Sequence, residues 1–359
     1  MAKVNNSDYF AMRERKSQQK IRQLLANDLP EFCNEFFIAL EGRTSVLTRL
    51  NYAYDLRTFF NYALENLYVF MKISDPKLVN ISDLEKISSY QIEQYLSFLS
   101  DYERKDGKTF TNKNRGKARK LSAIKSLYQY FYKRGDLKSN ISAKVDSPKI
   151  PEKEIIRLER KEVNDLLDAV ETGNGLTSRQ QIFHAKTKTR DMAIVSLFLG
   201  TGIRVSELVG LNLNDMDFTN NNFVVTRKGG NRVILYINAE VKQFVMEYYD
   251  IRKDNPQVST GENALFLNIR NKRLSTRAVE NIINKYSSIA TPLKKITPHK
   301  LRSTFGTELY RSTGDIYVVA DVLGHKDVNT TKKHYAAVTE DVRKKAAQYV
   351  KLYTDSSDE

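Results

Sequence analysis

The pattern of apolar and polar positions predicts a small helical domain over residues 30–140. Apolar residues recur there at spacings of three and four, which places them on one face of a helix. The segments with this periodicity are 32–40, 48–63, 90–99 and 121–132. A basic, weakly amphipathic stretch at 12–26 predicts a leading helix within an N-terminal extension, residues 1–29. We therefore expect four short helices joined by loops.

The pattern changes after residues 141–155, which hold Pro148 and Pro151 and little periodicity. Residues before proline are pushed out of the helical region, so this stretch predicts an interdomain linker. A second domain, 156–345, then mixes both periodicities. Helices are predicted at 160–170, 191–199, 241–249, 275–286 and 315–323, and an antiparallel hairpin at 223–226 and 232–237. The expected fold class is mainly α with a small antiparallel β-sheet (α+β).

Residues 346–359 complete the chain with a helical segment and an acidic tail. An apolar stripe from Val342 to Tyr353 predicts a last helix, and Asp355–Glu359 is predicted to be disordered. Two interpretations of the stripe stay open. It packs on its own domain, or it docks onto a neighbouring protomer.

Charge changes the picture more than composition does. The 359 residues include 58 Lys plus Arg against 43 Asp plus Glu, a net charge of +15. Such an excess favours a polyanionic partner, most commonly nucleic acid, although it also simply keeps a protein soluble. Cys33 is the one cysteine, which excludes an internal disulfide and a cysteine metal site and suits the cytoplasm. No apolar run approaches the roughly 18 residues of a membrane span.

Part of this charge is concentrated at residues 104–120, where Gly107 and Gly116 predict a basic loop leading into the fourth helix. Basic side chains beside a duplex neutralise phosphates and position a protein without reading much sequence. The alternative is a solvated charged loop. The candidate DNA-contacting residues are Lys113, Arg115, Lys117, Arg119 and Lys120.

Candidate chemistry begins with Thr297 and Pro298, which predict the start of a helix. His299 and Arg302 then fall three residues apart on one face near the electropositive end of that helix. Leu301, with Phe305 and Leu309 after it, predicts the buried stripe and leaves His299 and Arg302 clear of it. Such a cationic pair can meet an anion, but an ordinary surface helix carries the same residues.

Two upstream motifs have a similar character. Gly200 and Gly202 break a helix and restart it, which puts Arg204 in the first turn with Glu207 three residues later. Backbone N–H groups and a guanidinium at a helix start suit phosphate, while a surface Arg–Glu pair is the plain alternative. Lys228 lies in the predicted hairpin loop, beside glycines that allow close approach to a ligand. A hairpin lysine is more commonly just solvated.

The order of these motifs is more specific than any of them alone. Arg204, Lys228, His299-x-x-Arg302, Leu323-Gly-His325 and Tyr335 resemble, in order and spacing, the signature of the tyrosine recombinase (phage integrase) family. The resemblance is greatest to its Xer-like members, and the sequence of residues 300–307 and 314–317 is similar to that of the XerS type. It covers about residues 30–345. It implies a helical core-binding (SAM-like) domain followed by a catalytic domain.

The resemblance also implies roles. Tyr335 would be the nucleophile that forms a 3′-phosphotyrosine, Arg204 and Arg302 would hold the phosphate, and Lys228 would be the general acid. His299 would act as base or hydrogen-bond donor and His325 as donor. Such a site already supplies cations and donors, so we expect no metal and no cofactor. Two departures are Ser303, where many relatives have a second His, and Tyr335, ten positions after His325 rather than nine.

The expected function is therefore site-specific DNA recombination in the cytoplasm, with no membrane association. Resolution of chromosome dimers is the expected role, with mobile-element integration or excision as the alternative. Double-stranded DNA is the expected partner, bound by a homotetramer on two sites. Other function classes stay open: an inactive architectural or regulatory DNA-binding protein, or a type IB topoisomerase that acts alone.

Overall fold

The computed structural model describes residues 9–103, 107–151, 156–227 and 230–325, together with Val328. The chain forms two compact units, one at Asp8–Lys153 and one from Glu154 onward. Each is mainly helical with a small antiparallel sheet, which confirms the predicted fold class. Within the described ranges no helix has the length and apolar character needed to cross a membrane.

The first unit contains the predicted helices in their predicted order. Its helices are α1 (Tyr9–Asn27), α2 (Cys33–Ala39), α3 (Val46–Asn66), α4 (Ser89–Phe98) and α5 (Asn114–Arg134), and its strands are β1 (Tyr102–Glu103) and β2 (Thr109–Phe110). Ser45 and Ser88 cap α3 and α4 through hydroxyl oxygens that accept backbone N–H groups. The core is rich in aromatic rings, and Phe59 lies between Phe60 and Tyr95 with centroid distances of 5.5 and 5.2 Å.

The borders of this unit differ from the predicted ones. Helix α1 buries Ile21 and Leu24 and packs against α3, so residues 9–27 are part of the unit rather than a separate extension. Val145 is also buried in the same core, and the Asn114 side chain donates to the carbonyl of Lys149 at 2.7 Å. Part of the segment predicted as linker, 141–155, therefore packs on the first unit, because Val145 enters its core.

The predicted basic loop is also different. Helix α5 begins at Asn114, and the β1–β2 hairpin precedes it, so four of the five candidate DNA-contacting residues lie on the first turns of a helix. Lys120 is buried, with Nζ 3.0 Å from Oδ1 of Asp55, and Arg119 donates to Oδ2 of the same carboxylate. Burial raises the pKa of Asp55, against the lowering effect of the two cations.

The second unit carries a longer series of helices around a three-stranded sheet. The helices are α6 (Arg160–Thr172), α7 (Ser178–Thr201), α8 (Val205–Gly210), α9 (Ala239–Lys253), α10 (Thr276–Ala290), α11 (Pro298–Thr313) and α12 (Ile316–Leu323), and the strands are β3 (Met216–Asp217), β4 (Asn222–Thr226) and β5 (Arg232–Tyr236). Strands β4 and β5 form the predicted antiparallel hairpin, paired from Asn222 with Tyr236 to Thr226 with Arg232.

Helix α7 is the central element of this unit and packs against α6, α9 and α11. Its carboxylate Asp191 is fully buried and accepts from Tyr286 Oη at 2.8 Å and Lys285 Nζ at 3.0 Å, both on α10. Arg190 adds an ion pair at 2.6 Å. Burial and the neighbouring carboxylate raise the pKa of Tyr286. This paired charge fixes α10 against α7, because a buried carboxylate without partners would be costly.

The Asp55 cluster gives a first prediction. Lys120→Met should lower the free energy of unfolding of the first unit by on the order of 3 kcal/mol, because it removes one partner of a buried carboxylate. Calorimetry of the full chain should show a fall of roughly 10 °C in the transition of this unit. The matched control is Lys117→Met, whose Nζ donates to an exposed Ser100 hydroxyl and which should change stability by less than about 0.5 kcal/mol. Equal effects of the two variants would contradict the structural role of Lys120.

Candidate active site

The site forms where α7 ends, at a glycine that lets three helices meet. Gly202 follows α7 with φ of 62°, in the left-handed region. A Cβ at this position would lie 2.4 Å from the Phe305 ring on α11 and 2.8 Å from Leu323 on α12. Any larger residue would push these elements apart. The glycine therefore sets the close approach of the α7–α8 junction to α11 and α12.

Arg204 lies directly after this junction and caps α8. Its backbone N–H donates to Oε2 of Glu207 at 3.0 Å, and its Nη1 donates to Oε1 at 2.8 Å. Glu207 is 3% exposed, whereas the side chain of Arg204 is 35% exposed. A buried carboxylate thus fixes the arginine from behind while part of the guanidinium stays accessible. Arg204 was predicted in the first turn of this helix, but it lies at the N-cap just before the first turn. Glu207 orients its guanidinium.

Helix α11 begins as predicted, with Thr297 before its first residue Pro298. His299 is exposed on its first turn. Arg302 was predicted to lie clear of the buried face, and this is wrong, since it is only 6% exposed. Its Nη1 and Nη2 donate to the carbonyls of Gly202 and Leu323. Burial is tolerated because backbone carbonyls of two other elements accept from the guanidinium.

The C-terminal end of α12 collects three guanidinium groups. Nη2 of Arg204 donates to the carbonyl of Gly324 at 2.9 Å, and Nη2 of Arg227 donates to that of Val322 at 3.0 Å. With Arg302 on Leu323, three consecutive carbonyls each accept from a different arginine. We call Arg204, Arg227 and Arg302 the three-arginine cap. The last carbonyls of a helix lack partners within the helix and carry its negative dipole end, so cations are favoured there.

His325 comes directly after this helix end. Gly324 takes φ of 61°, and the N–H of His325 donates to the carbonyl of Ala320 at 2.9 Å. This is the hydrogen-bond pattern of a Schellman motif, which fixes the backbone at the helix end. Arg204, Arg302 and His325 are therefore brought to one place by the end of α12. His299 is on the same helix as Arg302, one turn earlier.

The remaining predicted catalytic residues, Lys228 and Tyr335, lie outside the described residues, as does the predicted C-terminal helix. Their roles stay predictions. Among the described residues no three His, Cys, Asp or Glu side chains are grouped so that they could hold a metal ion. Arg227 was missed by sequence reasoning. A basic residue in a hairpin loop gives no signal that its guanidinium reaches a helix about 95 residues away.

These features can now be compared with known proteins. The sequence model of the phage integrase family matches residues 156–341. The chain belongs to this family. Tyrosine recombinase XerC of Thermodesulfovibrio yellowstonii is 34% identical over 82% of this chain and 87% of its own length. Tyrosine recombinase XerS of Streptococcus uberis is 29% identical over 93% of this chain and 99% of its own length. The predicted resemblance to Xer-like tyrosine recombinases is confirmed, and with it the enzyme class, DNA strand breakage and rejoining.

Solved structures of the family share the fold. A XerH site-specific recombinase bound to its difH substrate superposes with a TM-score of 0.61 at 19% identity, covering 86% of this chain and 81% of that one. A lambda integrase tetramer bound to a Holliday junction gives 0.60 at 16% identity, covering 85% and 76%. The likeness supports the fold, and the local geometry above supports the site.

The second prediction concerns Glu207. Glu207→Ala removes the two hydrogen bonds that hold Arg204 from the buried side and leaves its bond to the Gly324 carbonyl. A displacement of about 1 Å can slow an enzyme on the order of 100-fold. We expect a loss of that size in the rate of DNA cleavage with little change in DNA affinity, measured by adduct formation and by equilibrium binding. The control is Glu308→Ala, which removes a surface ion pair with Arg160 in the same unit and should leave cleavage unchanged. Cleavage by Glu207→Ala within about twofold of the wild type would exclude the orienting role.

Proposed function

We propose that this recombinase cuts and rejoins DNA through a 3′-phosphotyrosine on Tyr335, with Arg204, Arg302, His299, His325 and Lys228 as the other catalytic residues. The observation that carries the proposal is the convergence of Arg204 and Arg302 at the end of α12, directly before His325. Two guanidinium groups and an imidazole at one point supply the charge and donors that a phosphodiester needs as its transition state forms.

The proposed reaction balances without a cofactor. The Tyr335 oxygen attacks phosphorus and forms a phosphotyrosyl bond while the bond to the 5′-oxygen breaks. Lys228 gives the leaving 5′-oxygen its proton, and His299 takes the phenol proton as the new bond forms. Rejoining reverses these steps with a 5′-hydroxyl of the exchanged strand. One phosphodiester-type bond replaces another, so the energy of the bond is retained.

Double-stranded DNA is the proposed partner, and a tetramer on two sites the proposed assembly. The net charge of +15 supports a polyanionic partner. Related structures contain a XerH recombinase on a difH substrate and a lambda integrase tetramer on a Holliday junction. In the first unit the exposed basic residues at the start of α5 are proposed to contact phosphates; they are Lys113, Arg115 and Arg119, with half-buried Lys117. Lys120 is left out because it is buried on Asp55.

The proposed biological role is the resolution of chromosome dimers in the cytoplasm. Relatives that match most of this chain are named XerC and XerS recombinases, which favours this role over mobile-element integration. The inactive DNA-binding alternative is disfavoured by the geometry of the site, in which Glu207 orients Arg204 and the carbonyls of Gly202 and Leu323 fix Arg302. A topoisomerase is disfavoured by the family match.

The cleavage step gives the third prediction. A nicked suicide duplex carrying the cognate site should form a covalent protein–DNA adduct, detected as a slower band on a denaturing gel. Tyr335→Phe should abolish the adduct, because the nucleophilic oxygen is absent, while DNA binding persists. An adduct that survives in Tyr335→Phe would move the nucleophile elsewhere. Relaxation of any supercoiled plasmid by a monomer, without site preference, would indicate a topoisomerase instead.

The α5 surface gives the fourth prediction. Arg115→Met and Lys117→Met should each weaken DNA binding and reduce the slope of log affinity against log salt by about 1, the contribution of one phosphate contact. The effect should be the same on cognate and random duplexes. Lys133→Met, exposed in the last turn of the same helix, is the control and should leave the slope unchanged. Unchanged slopes in the first two variants would remove this surface from the DNA interface.

A further inference from the structure

The member of the three-arginine cap without a predicted role is Arg227. Its backbone closes the β4–β5 loop: its N–H donates to the carbonyl of Asn231 at 2.8 Å, and its carbonyl accepts from Gly230 at 3.0 Å. Its side chain reaches out of the loop to the carbonyl of Val322 at 3.0 Å. One residue therefore joins the end of strand β4 to the C-terminal end of α12.

The Arg227 guanidinium also lies close to Gly324, at the end of α12. A Cβ on Gly324 would lie 2.1 Å from Nη1 of Arg227 and 2.4 Å from its Cζ. Gly324 thus leaves the space that the guanidinium fills, in addition to taking the left-handed conformation at the helix end. The tie consists of a hydrogen bond to Val322 and van der Waals contact with Gly324, the residue directly before His325.

Local stability explains this arginine only in part. The helix end favours cations, but two other guanidinium groups already donate to the carbonyls of Leu323 and Gly324, so a third cation also adds repulsion. Within the described residues, Nε of Arg227 is buried without a hydrogen-bond acceptor, which carries a desolvation cost. A role in holding the end of β4 against α12 would account for this desolvation cost.

We propose that Arg227 is a positioning residue for DNA cleavage, which holds the end of β4 against the helix end that carries His325. It acts through its neighbour: Lys228 is the next residue in the chain, and the inference rests on the proposed function, in which Lys228 protonates the leaving 5′-oxygen. Arg227 fixes the end of β4 relative to Arg204, Arg302 and His325.

The test uses the leaving group. In a suicide duplex with a 5′-bridging phosphorothiolate, sulfur replaces the 5′-oxygen and departs as a thiolate, which needs no proton from an acid. With the full chain, Arg227→Ala should form adduct on the ordinary duplex at least about tenfold more slowly than wild type, which is part of the roughly 100- to 10,000-fold that a general acid contributes. On the phosphorothiolate duplex its rate should return to within about threefold of wild type. A loss of local structure would slow both reactions.

Two controls separate this inference from the proposed function. Lys228→Ala should be slow on oxygen and rescued on sulfur, whereas Arg302→Ala should be slow on both. If Lys228→Ala is not rescued, the acid role fails, and the Arg227 proposal falls with it. If Lys228→Ala is rescued while Arg227→Ala stays slow on both duplexes or is unimpaired on both, the proposed function stands and the positioning role is overturned.

The contact itself is tested by a double-mutant cycle. Gly324→Ala places its Cβ against the guanidinium and should slow cleavage of the ordinary duplex in the wild-type background. In the Arg227→Ala background the same substitution meets no guanidinium, so its effect should be several-fold smaller. Arg227→Lys keeps one donor and should retain more activity than Arg227→Ala. Additive effects of the two changes, with no benefit from lysine, would overturn the proposed tie.

Discussion

Three consecutive carbonyls at the end of one helix hold the described part of the candidate site together. Val322, Leu323 and Gly324 accept from Arg227, Arg302 and Arg204, which come from a hairpin and two different helices. Guanidinium groups this close would repel one another without a negative partner. The dipole end of α12 supplies that partner through its own backbone, so the cations can gather before any phosphate arrives. Electrostatic preorganisation of this kind needs no rearrangement during the reaction.

The surrounding residues make this arrangement possible. Glu207 holds Arg204 from the buried side, and Gly202 allows the α7–α8 junction to approach α11 and α12. Gly324 ends α12 and fixes the backbone before His325. Glu207, Gly202 and Gly324 each fix the position of an arginine or of the backbone before His325. A change at any of them should alter cleavage more than binding, because the geometry of the charges matters more to the transition state than their presence.

In the first unit, some basic residues at the start of α5 stabilise the fold and others are exposed on the surface. The stretch at the start of α5 is one basic motif in the sequence, yet Lys120 is buried on Asp55 and Arg119 is shared between that carboxylate and the surface. The ion pair ties α5 to α3, and the other basic side chains remain available to solvent or DNA. A buried carboxylate requires such partners, so part of the positive charge serves the fold.

Local patterns in the sequence determined the helix segments, the hairpin, the helix start at Thr297 and Pro298 and the stop at Gly324, because caps and turns depend on neighbours in the chain. The order of Arg204, Lys228, His299, Arg302, His325 and Tyr335 also sufficed to indicate the family. Only the tertiary structure decided that Arg302 and Lys120 are buried, that α1 and Val145 belong to the first core, and that Arg227 reaches α12. The hydrogen bonds of Arg302, Lys120 and Arg227 join residues about 20 to 100 positions apart, and spacing along the chain carries no information about a partner at that distance.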